Sequence, residues 1–211
     1  MKLKGIIFDL DGVICFTDEY HYLAWKELAD RLGIPFDRKD NERLRGVSRM
    51  ASLEIILEKS EKAYTEAEKQ SFCEEKNNRY REYLSRMTPA DLSEETASTL
   101  VKLRERGYLL AIGSSSRNAK TILDKIGLGS FFDAVSDGTN ITRTKPDPQV
   151  FLMAAEMLKL PPEECLVVED AEAGIAAAKA GGMQAAGMGG AAADPCADYS
   201  LSCFSDLLKV L

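Results

Sequence analysis

The sequence predicts an α/β protein: a parallel sheet covered by helices on both faces, with a helical segment inserted after the first strand. Three observations carry this. Short apolar runs ending at acidic, serine or glycine residues recur along the chain, helical patterns separate them, and from residue 17 to 87 the rhythm gives way to helices alone.

The first apolar run, Leu3 to Phe8, contains β-branched residues and stops at Asp9 and Gly12, as a buried strand ending in a loop does. Three more runs follow the same plan. Tyr108 to Ile112 ends at Gly113 and three serines, Cys165 to Val168 ends at Glu169 and Asp170, and Met183 to Met188 runs into a glycine-rich loop. Helical patterns cover Glu94 to Arg106, Asn118 to Ile126, Pro148 to Lys159 and Ala173 to Ala180, several of them stopped by glycine. Strands alternating with helices imply a parallel sheet. Within the insertion, His21 to Leu32 and Ala67 to Leu84 are the clearest helices, and Thr88-Pro89 marks the return to the sheet. The expected organisation is therefore a core domain of residues 1–16 and 88–211 and a helical cap domain of residues 17–87.

Composition narrows the function classes. With 45% hydrophobic and 29% charged residues the chain has the balance of a soluble globular protein, and no apolar run approaches the ~20 residues of a membrane helix. The net charge of −7 disfavours nucleic acid and anionic membranes, so a phosphorylated substrate needs a local cationic pocket or a metal. The N-terminus lacks the long apolar stretch and cleavage site of a secretory signal, which makes the cytoplasm the expected compartment. The five cysteines show no metal-type spacing and are expected to be reduced thiols. The chain offers no obvious oligomer seam, so a monomer is expected.

Ligands of an open parallel sheet bind beyond the carboxyl ends of its strands. At those ends stand Asp9, Asp11, Ser114 and the Glu169-Asp170 pair, with Lys145 in a loop between strand regions. Several carboxylates at one edge repel each other unless a divalent cation sits among them, and hard oxygen donors favour Mg²⁺. A carboxylate also attacks phosphorus, splitting one hard transfer into two easier ones, and Asp9 is placed for that. Asp11 suits general acid and base work, Lys145 offsets the charge of the transferring group, and Ser114 adds a hydroxyl and a backbone donor. Each fragment also has a plain structural reading. Asp-x-Asp-Gly is a common turn, the serines and Glu169-Asp170 can cap the helices that follow, and Lys145-Pro146-Asp147 reads as a loop entering a helix. All four segments falling in order at strand ends or adjoining loops is what favours the chemical reading.

Taken together, Phe8 to Val13, Ser114, Lys145-Pro146-Asp147 and Glu169-Asp170 before Ala173-Gly174-Ile175 resemble the four motifs of the haloacid dehalogenase superfamily over nearly the whole chain. The resemblance implies a Rossmann-like core with a helical cap, Mg²⁺ held by Asp9, Asp11, Glu169 and Asp170, Asp9 as nucleophile and Asp11 as acid and base. The stretch Thr17 to Trp25, the string Arg45-Gly46-Val47-Ser48-Arg49 with Ser52, and Lys76-Asn77 resemble the phosphosugar mutases of that superfamily. For those enzymes the substrate is a small phosphosugar and the activator its 1,6-bisphosphate, exchanged through the phosphorylated Asp to interconvert β-glucose 1-phosphate and glucose 6-phosphate. The substrate-binding positions so implied are Thr17, His21, Trp25, Arg45, Gly46, Val47, Arg49, Ser52, Lys76, Ser115, Ser116, Arg117 and Asn118. Arg49 with Ser116, Arg117 and Asn118 matches the site for the phosphate that is not being transferred, where a guanidinium fork suits phosphate. His21 and Trp25, four residues apart on one helix face, read equally as plain packing. Ala171, where close relatives often carry Ser, Arg45 in place of a familiar Lys, and the apolar Cys15-Phe16 hinge depart from the pattern. A phosphatase using the same Asp9 with water as acceptor, and a non-catalytic phosphate-binding protein, are the competing functions.

Overall fold

In the computed structural model, residues 2–44 and 47–211 are described, and they build six parallel strands. These are β1 (Gly5–Phe8), β2 (Leu109–Gly113), β3 (Ala134–Ser136), β4 (Cys165–Glu169), β5 (Gln184–Gly187) and β6 (Tyr199–Ser200). Their order across the sheet is β3-β2-β1-β4-β5-β6, which is the Rossmann arrangement. The four expected strands are present and central. The sequence reading missed β3 and β6, which have three and two residues, too short to show a period.

The apolar runs make central strands because both of their faces are covered. Ile6, Ile7 and Phe8 of β1 and Leu166 to Val168 of β4 have no exposed surface. Each such side chain contributes roughly 1.5–3 kcal/mol on burial. Helix α7 (Gln149–Leu158) lays Val150, Phe151 and Ala154 against this layer together with Ile175 and Ala178 of α8 (Glu172–Ala180). Most helix ends follow the expected chemistry, with Ser93 accepting from the Thr96 N–H at 3.0 Å to start α5 (Glu94–Glu105). Helix α7 departs from the glycine rule: it stops at Lys159, which itself adopts the left-handed conformation at φ 58°.

The chain divides into two compact units, Met1–Phe16 with Met87–Leu211, and Thr17–Arg86. Met87, expected at the end of the inserted segment, groups with the sheet unit, and its side chain is buried. The inserted unit holds α1 (Asp18–Leu32), α2 (Arg38–Glu42), α3 (Arg49–Leu57) and α4 (Glu66–Leu84). Helix α1 begins three residues before the expected His21, because Asp18 and Glu19 favour its positive N-terminal end. Helix α4, poor in apolar residues, starts on a capping box in which Thr65 and Glu68 satisfy each other's backbone N–H. The unit has its own core of Trp25, Leu28, Leu53, Ile56 and Cys73. Among the described residues no helix is long and apolar enough to cross a membrane.

Candidate active site

The sheet order reverses at β1, so the ends of β1 and β4 flank the switch point at which open α/β sheets bind ligands. Phe8 is in register with Ile112 on one side and Val168 on the other, and the Asp9 N–H donates to the Val168 carbonyl at 2.9 Å. Asp9, the loop after Gly113, and Glu169-Asp170 therefore leave the sheet side by side.

At this edge Lys145 is buried and its ammonium donates to both Asp9 Oδ1 and Glu169 Oε1. The other Glu169 oxygen accepts from the backbone N–H groups of Asp170 and Ala171 at 2.8 and 2.9 Å. Glu169 thus has partners on both oxygens. Its Oε1 shares the Lys145 ammonium with Asp9, so Glu169 ties Lys145 to the sheet edge. Gly174 makes room for this, since a Cβ there would meet Glu169 Oε1 at 1.9 Å. The loop at Asp-x-Asp-Gly is equally constrained. Gly12 adopts φ +92°, and a Cβ on it would meet Asp170 Oδ2 at 2.2 Å. The Asp170 carboxylate is thereby laid against the turn that carries Asp9 and Asp11.

The electrostatics follow from burial. Desolvation pushes the Asp9 carboxyl well above the ordinary carboxylate range; Lys145 pulls it down, while Glu169 and Asp11 push it further up. Burial acts downward on the Lys145 ammonium, yet Asp9 and Glu169 together outweigh it and the pKa is raised, so Lys145 stays charged. A cation next to Asp9 would favour its charged form.

Among the described residues no group of three or more His, Cys, Asp or Glu could hold a metal ion by itself. The donor chemistry still fits a cation that takes one or two carboxylates and completes its shell with water and substrate phosphate. Asp9 and Asp170, with Asp11 in the turn between them in sequence, are the residues that would hold it.

The serine loop accounts for Ser114 to Asn118. Ser114 Oγ accepts from the Ser116 N–H at 3.1 Å, and Ser116 Oγ accepts from the Asn118 N–H at 3.2 Å. Asn118 is the first cap of α6 (Ala119–Lys125) but makes no side-chain cap bond, so the simple capping reading of this loop fails. So does that of Glu169-Asp170, because Ala171 occupies the cap position of α8. Asp147 does accept from the Gln149 N–H at 3.0 Å, so the helix-entry reading holds for Asp147 while Lys145 turns to Asp9. Arg117 is exposed.

In the helical unit, α1 and α4 bring together a second polar cluster. The buried Lys76 ammonium lies 2.7 Å from His21 Nδ1 and over the rings of Trp25 and Tyr80, at 4.9 and 4.7 Å from their centroids. His21 stacks on Tyr80 at 4.0 Å, and the Tyr80 hydroxyl shares a 2.9 Å hydrogen bond with Thr17 Oγ1. Tyr80 joins all these groups and was missed in the sequence; its four-residue spacing from Lys76 was the available signal. Trp25, expected at the sugar, is 2% exposed and belongs to the unit's apolar core. Ser52 is likewise buried in α3, whereas Val47 is exposed. Arg49 opens α3 half-buried and donates to Asn77 Oδ1 at 2.7 Å, so it is no freely solvated helix start. Arg45 and Gly46 lie outside the described residues.

Burial, then the positive charges of Lys76 and Arg49, push the His21 imidazole well below its usual pKa. With Nδ1 facing an ammonium, His21 is the neutral tautomer carrying its proton on Nε2. Its folded pKa lies below the unfolded value of about 6.5, so the unfolded chain takes up a proton first. The contribution to stability is complete above that pH and is lost as pH falls toward the folded value. His21 is the single histidine of the chain, so an imidazole NMR titration reads it directly. The resonance is expected to stay that of neutral imidazole well below pH ~6.5; a midpoint at or above it would contradict the pairing with Lys76.

Comparison with known proteins agrees with this geometry. The sequence pattern of the haloacid dehalogenase-like hydrolases matches residues 3–182. The chain is 48% identical to the β-phosphoglucomutase of Bacillus subtilis over 189 residues, 89% of this chain and 84% of the relative. It is 30% identical to a phosphorylated carbohydrates phosphatase of Thermotoga maritima over 86% of this chain and 83% of that one. The crystal structure of a β-phosphoglucomutase from Clostridium difficile superposes with a TM-score of 0.90 at 37% identity, covering 97% of this chain and 93% of that one. Relatives of this kind imply a divalent metal cation at the carboxylate edge. With the motif order, the sheet order and the clamped aspartate all in place, the chain belongs to the haloacid dehalogenase-like hydrolase family.

Proposed function

We propose that this chain is a phosphosugar mutase interconverting β-glucose 1-phosphate and glucose 6-phosphate through a phosphorylated Asp9. The observation that carries it is the buried Lys145 ammonium clasped between Asp9 and Glu169 at the sheet's switch point. That arrangement fixes the attacking carboxylate and sets a cation beside it, which is what phosphoryl transfer needs. Choice of a sugar hydroxyl over water as acceptor is supported by the 48% identity to a β-phosphoglucomutase, against 30% to a phosphatase.

In this reading an Asp9 oxygen attacks the phosphorus of the 1,6-bisphosphate. The new O–P bond forms as the bond to the sugar oxygen breaks, and Asp11 gives that oxygen a proton. The sugar monophosphate then presents its other hydroxyl; Asp11 takes the hydroxyl proton as the sugar oxygen attacks the aspartyl phosphate and frees Asp9. Lys145 stays charged throughout, matching the negative charge on the transferring oxygens, and Ser114 adds its hydroxyl and N–H. Asp9, Asp170 and Asp11 would hold Mg²⁺, which would supply positive charge to the phosphoryl oxygens. In the helical unit, His21 with Lys76 and Thr17, and the string from Arg45 to Ser52, serve the sugar and its second phosphate. The protein is expected to work as a cytoplasmic monomer.

The direct test supplies Mg²⁺, β-glucose 1-phosphate and a trace of the bisphosphate, and follows glucose 6-phosphate and free phosphate separately. Isomer without stoichiometric phosphate is expected; phosphate without isomer would leave the phosphatase. A second prediction concerns Arg49, the guanidinium proposed for the phosphate that is not transferred. Arg49→Ala should cut kcat/KM on the sugar phosphate by roughly 10- to 100-fold, the worth of a charge-assisted hydrogen-bonding pair. Phosphorylation of Asp9 by acetyl phosphate, which has no second phosphate, should be unchanged. Equal loss with both donors would contradict the assignment.

A further inference from the structure

One polar atom near Asp9 is left over by the account so far. The Ser115 hydroxyl oxygen is fully buried and has no hydrogen-bond partner, which is true of no other buried side-chain N or O atom among the described residues. Leaving such a group unpaired costs about 1–3 kcal/mol. The flanking serines do not share the problem, because Ser114 Oγ and Ser116 Oγ each accept from a backbone N–H two residues on. Ser116 O accepts from the Gly138 N–H at 3.1 Å, and Ser115 O lies so close to Gly138 that a Cβ there would approach it to 2.4 Å. The middle hydroxyl of the three is thus the one left without a partner.

Its position says what it is for. Phe8 is in register with Ile112 at the end of the β1-β2 ladder, so Asp9 and the loop after Gly113 that carries Ser115 leave the sheet at the same edge. A hydroxyl can donate as well as accept, whereas phosphoryl oxygens only accept. A buried hydroxyl beside a phosphoryl site is therefore complementary to the group that arrives there. We propose that the Ser115 hydroxyl donates a hydrogen bond to an oxygen of the phosphoryl group bound at Asp9, so that its unpaired state in the free protein is a donor held ready for that ligand. The inference rests on the phosphoryl-transfer reading of Asp9. It gives Ser115, among the substrate-binding positions the resemblance implies, a defined side-chain contact with the transferring phosphoryl group beside Ser114. A cradle assembled before the ligand arrives spends no binding energy on reorganisation.

The test compares the native protein with Ser115→Ala, using inorganic phosphate as the probe at saturating Mg²⁺, with calorimetric titration for affinity and thermal unfolding of the ligand-free proteins. Ser115→Ala removes one atom and adds none, so it is expected to fold. The expected result is a split: phosphate Kd rises by about tenfold or more, as for a lost hydrogen bond to a charged group, while the Tm of the free protein is unchanged or higher. A merely structural hydroxyl cannot give that pattern. Unchanged phosphate affinity would overturn the proposal, and so would a free-protein Tm lowered by several degrees, because it would mean that the hydroxyl already has a partner. Neither readout involves sugar isomerisation. A native protein that binds phosphate Ser115-dependently but makes no glucose 6-phosphate would refute the mutase and leave this inference standing.

Discussion

Asp9→Asn is expected to abolish turnover, by on the order of 10⁴-fold or more, and to leave the protein at least as stable as before. The first half follows from chemistry. The amide is not a nucleophile toward phosphorus, and no phosphorylated intermediate can form on it. The second half follows from the environment. Asp9 is buried among Glu169 and Asp11, with desolvation and repulsion driving its carboxyl toward the neutral form despite Lys145. Asn has nearly the same shape without the charge, and Lys145 retains Glu169 as its partner. The expected gain would mean that stability is given up at this position for reactivity. Parallel measurements of isomerase activity and Tm check it. Appreciable residual turnover would count against covalent catalysis, and a Tm fall of several degrees would show that Asp9 is there for structure.

Lys145→Met is expected to be destructive in both respects. The methionine keeps the chain length and loses the ammonium, so Asp9 and Glu169 confront each other in a buried site with nothing cationic between them. Removing one partner of a buried ion pair costs about 3–5 kcal/mol. The fall here belongs at the lower end, since Asp9 relieves the repulsion by taking up a proton, and corresponds to a Tm loss of roughly 10 °C. Phosphorylation of Asp9 by acetyl phosphate should fail in the same variant, because the protonated acid is a poor nucleophile and the transferring oxygens lose their counter-charge. An intact Tm with normal phosphorylation would mean that Lys145 is not the clamp. The two substitutions thus diverge in stability while agreeing in activity, which separates an ion-pair network kept for chemistry from one kept for folding.

How far the sequence could be read depended on the range of the interactions involved. The four central strands were legible because each is a buried apolar run with an abrupt polar end, as at Phe8-Asp9 and Val168-Glu169. Strands β3 and β6 were not, since two or three residues at a sheet's flank carry no period. The residues of the active edge were legible as types at strand ends, but their pairing was not. Nothing in the local sequence says that Lys145 reaches Asp9 across 136 positions or that Glu169 turns to it from 24 away. The backbone N–H groups of Asp170 and Ala171 that hold the second Glu169 oxygen were equally invisible. Tyr80 went unread for the same reason, because a tyrosine in a charged helix is unremarkable until His21, Lys76 and Thr17 are found around it. Trp25 shows how one residue serves two readings: the motif points to the sugar, and its side chain is buried in the helical unit's core. Ser115 shows a further gap, since only a full tally of hydrogen bonds singles out the middle of three adjacent serines.

The claim on which all of this turns is that phosphorus becomes bonded to an Asp9 oxygen. It is tested most directly by mixing the protein with Mg²⁺ and the bisphosphate, quenching in acid within the first turnovers, and locating the added phosphoryl group by peptide mass spectrometry. The account predicts an acid-stable, hydroxylamine-labile phosphoryl group on the peptide containing Asp9. Full isomerase activity with no such adduct at any quench time, or an adduct on a serine of the 114–116 loop, would contradict it.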